Sequence, residues 1–100
     1  MVYIAGYGGV LIRGRGNAWK LIDQKETTDD LWDLAWFEGV LYVSNFRTVY
    51  RLENAALVPV NFGDDPPATT CQLSAAKGVL WSIGDHDILS YDGKKWARIV

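Results

Sequence analysis

The chain has one cysteine, one histidine and three prolines in its 100 residues. The single Cys71 excludes an intramolecular disulfide, and its place in the sequence reads as a small buried apolar residue rather than a reactive thiol. The single His86 lies between Asp85 and Asp87. A zinc site would need further soft ligands, so this reads as the tip of a turn and not as a metal centre or a general base. There is no basic stripe of the kind that nucleic acid requires, because the net charge is −2 and only Lys94 and Lys95 are adjacent cations. There is no apolar run near the ~20 residues of a membrane helix. The opening stretch, MVYIAGYGG, lacks the charged region and apolar run of a secretory signal. These absences point to a cytoplasmic setting or a virus particle assembled in one.

Apolar residues make up 49% of the chain, with five Trp and five Tyr, which is enough for a folded core. Their order repeats. Tyr42, Asn45 and Val49 stand 39 residues after Tyr3, Gly6 and Val10, and 39 before Trp81, Gly84 and Ile88. Periods of this length mark repeat architectures. Each copy reads as four short strands. The first strands are Leu34–Trp36 and Leu73–Ala75. Charged-residue–Gly turns, Glu38-Gly39 and Lys77-Gly78, lead to second strands at Val2–Ala5, Val40–Ser44 and Val79–Ile83. Turns opened by Gly6, Asn45 and Gly84 lead to third strands at Val10–Arg13, Val49–Leu52 and Ile88–Tyr91. The fourth strands are Trp19–Ile22, Leu57–Val60 and Trp96–Val100. The second and third strands are almost continuously apolar, as strands buried on both faces are. The fourth are more polar, and Pro59 marks its strand as an edge.

Four-stranded antiparallel units with a period near 40 residues predict an all-β, partial β-propeller of about three blades. The whole of 1–100 forms one domain, with repeats at 1–22, 31–60 and 70–100. The first blade lacks its innermost strand, which would fall before Met1. Acidic linkers at 23–30 and 61–69 lack the spacing of a calcium loop and read as solvated surface. A closed propeller needs about 4–8 blades. The expected partners are therefore a second copy, giving a six-repeat dimer, or other proteins of a larger assembly.

The segment from Leu31 to Arg51 and the segment from Gly84 to Trp96 resemble repeats of bacterial propellers of the photosystem II assembly-factor and bacterial neuraminidase type. Ser90-Tyr91-Asp92-Gly93-Lys94-Lys95-Trp96 is similar to a shortened Asp-box turn. The first copy keeps only the Gly16-to-Trp19 end of it, with Gly14 in place of the aspartate, and the middle copy keeps almost nothing. The resemblance implies a propeller and, for most of its members, a binding or scaffolding role. Its enzymatic branch, the sialidases, would need an arginine cluster. The five arginines here, Arg13, Arg15, Arg47, Arg51 and Arg98, are dispersed over the copies.

No nucleophile elbow, phosphate loop or dinucleotide fingerprint is present, so no catalytic residues, metal ligands or cofactors are assigned. The expected function is that of a non-enzymatic structural or interaction protein, specifically a phage tail or decoration component. A lectin-like glycan-binding module and a degenerate sialidase segment are the alternatives. Interface candidates are large residues outside the shared pattern. Trp36 and Phe37 stand where the next copy has Ala75 and Ala76, and Tyr7 and Phe46 occupy turn tips.

Overall fold

A computed structural model describes residues 2–100; Met1, where the first expected repeat begins, lies outside the described residues. Among the described residues, eleven strands form three antiparallel sheets. The first sheet contains β1 (Val2–Ala5), β2 (Leu11–Arg15) and β3 (Ala18–Leu21) in that order. The second contains β4 (Asp33–Phe37), β5 (Val40–Ser44), β6 (Val49–Glu53) and β7 (Ala56–Pro59). The third contains β8 (Gln72–Ala76), β9 (Val79–Ile83), β10 (Ile88–Tyr91) and β11 (Trp96–Arg98). Every strand pairs with its neighbour in sequence, so each sheet is a simple meander. β1 holds the place in its sheet that β5 and β9 hold in theirs.

The turns follow from local chemistry. Glu38 and Gly39 both have positive φ, 51° and 77°, and Lys77 and Gly78 repeat this at 53° and 79°. Two successive left-handed residues make the turn whose twist matches an antiparallel pair. The register is then fixed: Phe37 faces Val40, and Ala76 faces Val79. Between β1 and β2 the chain makes a short 3₁₀ turn, Tyr7–Gly9, in place of the simple bend used by the other two copies.

The sheets pack in series, with the second in the middle. Leu11, Ile22, Leu31, Leu41, Val43, Tyr50 and Leu57 fill the space between the first and second sheets. Phe37, Tyr42, Val49, Leu73 and Leu80 fill the space between the second and third. Alternate residues of β5 therefore enter different cores: Leu41 and Val43 one, Tyr42 the other. This is the packing reason that the strand is apolar without alternation. Across the interfaces, β4 lies against β8 and β1 against β4.

Polar bonds join the sheets at one end. Asn45 is buried, and its side-chain oxygen accepts the N–H groups of Arg47 and Thr48, both at 2.8 Å. Its amide nitrogen donates to the Tyr50 hydroxyl at 3.2 Å. Its carbonyl accepts the Thr70 hydroxyl at 2.9 Å, and the Thr70 N–H donates to the Phe46 carbonyl at 3.0 Å. The turn of the second sheet is thereby tied to the segment entering the third. The previous interface has the matching bond, Leu31 N–H to the Gly6 carbonyl at 2.9 Å. Gly84 also sits where the chain passes close: a Cβ there would strike the Thr69 carbonyl.

Asp87 ties the preceding linker to the third sheet. One carboxylate oxygen accepts the N–H groups of Ala68 and Thr69 at 2.9 and 3.3 Å, and the other accepts from Arg98 at 2.6 Å. The Arg98 hydrogen bond, with these N–H groups, holds the Asp87 carboxyl below its ordinary value of 3.8.

Removing the buried Asn45 side chain takes away the acceptor of two part-buried N–H groups and the partner of the Tyr50 hydroxyl. Asn45→Ala should lower unfolding free energy by about 2 kcal/mol in a urea titration, the cost of losing three hydrogen bonds made by one buried side chain. Asn17→Ala, on an exposed turn, should change it by less than about 0.5 kcal/mol. Asp87 has a depressed folded pKa, so its contribution is complete above the unfolded carboxylate range and is lost as pH falls through the folded value. The stability gap between the native chain and Asp87→Asn, read by denaturation at a series of pH values, should therefore be constant near neutrality and close below about pH 4.

Candidate functional site

The turns that lead into β2 and β6, together with the segment entering β4, bring three aromatic rings to one end of the first two sheets. Tyr7 is 84% exposed, Trp32 54% and Phe46 41%. The Trp32 and Phe46 rings are 5.3 Å apart. Tyr7 and Trp32 line a cavity of about 430 Å³, with Ala5, Gly6, Asp30 and Leu31. The Gly8 N–H donates to the Asp30 carboxylate at 2.8 Å, and Leu31 bonds to Gly6, so the walls are held by hydrogen bonds. Three large rings thus stay in water on a backbone held by hydrogen bonds.

Of the residues singled out from sequence, Tyr7 and Phe46 belong to this end. Trp36 does not: it is 53% exposed on β4, where its ring meets Tyr3 edge-on at 5.5 Å beside a cavity of about 330 Å³. Phe37 is only 6% exposed and packs against Tyr42 and Tyr91. A strand alternates its side chains between faces, so the two neighbours cannot both face outward. Trp32 was not among the residues singled out from sequence; its counterpart in the next copy is Cys71. The signal available was its place directly before the first strand, level with the turn tips.

Three titratable or reactive groups outside this end, His86, Cys71 and Arg98, have the following surroundings. His86 is exposed at the tip of the β9–β10 turn, and among the described residues no three His, Cys, Asp or Glu side chains gather into a possible metal site. Cys71 is only partly buried, which corrects the expectation of a buried position. Its sulfur lies 3.7 Å from the Asp85 carboxylate. Burial, and then the Asp85 charge, push its thiol above the ordinary 9.0, the opposite of what a nucleophile needs. Arg98 is spent on Asp87, Asp65 and the Pro66 carbonyl. Trp19 donates to the Gly16 carbonyl at 2.8 Å and covers its own hairpin. No helix is long and apolar enough to cross a membrane among the described residues.

No family model matches the chain, and no solved structure matches it significantly. It is similar to a curated protein, Immune protein Tsi7 of Pseudomonas aeruginosa strain PAO1, with 51% identity over 98 residues. The match covers 98% of this chain and 32% of the relative, so the chain spans about a third of that protein's length. This similarity overturns the expected virion role. The matched protein is an immune protein, which corrects the reading as a phage tail or decoration component that completes itself as a dimer. The lectin and sialidase alternatives fall with it.

The thiol chemistry is directly measurable. Cys71 in the native chain should react with iodoacetamide at pH 7.5 more slowly than a free cysteine. Asp85→Asn should speed the reaction severalfold by removing a carboxylate that disfavours the thiolate.

Proposed function

We propose that this chain serves as an immune protein, in the sense of its relative's name, by holding a toxin protein at the Tyr7–Trp32–Phe46 end. The observation that carries this reading is the 51% identity to Tsi7 along nearly the whole chain. The exposed aromatic end gives the reading a physical means. Tyr and Trp rings dominate protein interfaces because they bury large area at small conformational cost. The function is binding and not turnover, and it takes place in the cytoplasm. We further read the three sheets as consecutive blades of a β-propeller within a larger ring of such units. The 39-residue period, the four-strand meander and the contacts of β4 with β1 and β8 support that reading. So does a relative about three times as long, which has room for further copies. Under this reading 1–100 is one structural domain with repeats at 1–22, 31–60 and 70–100, and Tyr7 and Phe46 act with Trp32. Trp36, on the opposite part of β4, belongs to the packing of neighbouring units.

The test is a calorimetric titration against a toxin to which Tsi7 confers immunity. The chain should bind that toxin, and Trp32→Ala should weaken binding by about 30-fold or more, the loss expected of a central aromatic anchor. Trp36→Ala should change affinity less than threefold. Absence of binding by the native chain, or equal loss from the two substitutions, overturns the reading.

A further inference from the structure

Between the second and third sheets, away from the aromatic end, a cleft of about 200 Å³ is lined mainly by polar atoms. Tyr42 and Arg51 are cross-strand partners on β5 and β6, so their side chains stand side by side on the face of the second sheet that looks toward the third. Tyr91 and Trp96 come from β10 and β11, stacked at 4.9 Å, and form the opposite wall. Asn61 and Lys94 close the rim. A second cavity of about 310 Å³, lined by Asn61, Lys94, Lys95 and Trp96, continues from it.

The charges in this cleft are unevenly committed. Arg51 meets Glu53 through Nε, at 3.4 Å, which leaves both terminal guanidinium nitrogens free of that pair. Lys94 and Lys95 form no ion pair among the described residues. The carboxylate of Asp92, in the same turn, is taken up by the Lys94 and Lys95 N–H groups at 2.8 and 3.0 Å. Glu38 lies over Gly93 at the margin. Tyr42 is buried, and burial, followed by the charge of its neighbour Tyr91 and a hydrogen bond between the two hydroxyls, raises its phenol above the ordinary 10.0; a ligand would share this hydroxyl with Tyr91. Donors therefore converge from two sheets: a guanidinium fork, an ammonium and a phenol.

We propose that this inter-sheet cleft is a carboxylate-binding site, with Arg51 and Lys94 as charge partners and the Tyr42 hydroxyl as a third donor. The planar fork of arginine matches the two oxygens of a carboxylate, and Trp96 and Val60 add apolar contact beside it. The flat Tyr91–Trp96 wall leaves space for the short apolar stem that carries such a group. The carboxylate has two sources, a free small acid or an acidic side chain of a bound protein, and the site's chemistry is the same for either. It stands apart from the aromatic end and does not depend on the toxin-binding reading.

The test is a nitrogen-15 NMR titration of the whole chain at constant ionic strength, set by chloride. Sodium acetate and a glutamate blocked at both ends serve as probes. Saturable shifts at Arg51, Lys94 and Tyr42 are expected. The double substitution Arg51→Gln, Lys94→Gln should weaken them at least tenfold while leaving the remaining spectrum in place. Lys25→Gln, outside the cleft, should leave the titration unchanged. Blocked glutamate binding tenfold more tightly than acetate identifies a protein side chain as the natural group; equal affinity identifies a free small acid. No saturation with either probe, or shifts that persist in the double variant, overturns the site. So does saturation by inorganic phosphate alone, run as a parallel titration.

Discussion

The buried carboxamide of Asn45 is the point on which the arrangement of sheets depends. It closes the turn between β5 and β6 with two N–H bonds and reaches Tyr50 with its amide. In doing so it fixes the carbonyl that receives Thr70 from the next unit. Hydrophobic contact would hold two sheets together at many angles, because it is non-directional. A hydrogen bond at a buried position admits few, since an unpaired group there carries a full desolvation penalty. The apolar cores supply the attraction between sheets, and this polar clasp selects the geometry. The cleft beside Arg51 lies between the two sheets that this clasp joins.

The two proposed binding surfaces arise from different consequences of the same repeat. At the aromatic end the copies differ: Tyr7, Phe46 and His86 occupy the turn tips in succession, and Trp32 has Cys71 as its counterpart. A scaffold that repeats its backbone leaves the turn tips free to carry a surface unlike any neighbour's. In the inter-sheet cleft the copies cooperate. Tyr42 and Arg51 belong to one unit, Tyr91, Lys94 and Trp96 to the next, and the linker between them contributes Asn61. Neither unit alone holds the donor set.

Much of the fold was readable in the sequence. Val2–Ala5, Val40–Ser44, Val79–Ile83 and Ile88–Tyr91 coincide with observed strands, because their apolar runs end at turn-forming residues. Elsewhere the ends differ by a residue or two, as at β2, where the 3₁₀ turn absorbs Val10 and delays the strand to Leu11. The clasp at Asn45 was visible only as a turn residue, since the bond that crosses to the next unit joins its own backbone carbonyl to a threonine 25 positions on. The site was legible in part. Tyr7 and Phe46 stood out as turn aromatics, but Phe37 was placed outward when strand alternation turns it into the core. No periodicity carries information about a partner, so the virion reading rested on an analogy that the similarity to an immune protein replaced.

The middle sheet feeds two cores through alternate residues of β5, and this constrains how such a protein can change over evolutionary time. One residue inserted within Val40–Ser44 would exchange the inputs, sending Tyr42 into the space shaped for Leu41 and Val43. Both interfaces would fail together. Length variation among descendants of this chain is thus confined to segments such as 23–30 and 61–69, where the backbone leaves one sheet before entering the next. New surface can be added there without altering either core, so the linkers, and not the strands, are the places where lineages of this fold can diverge.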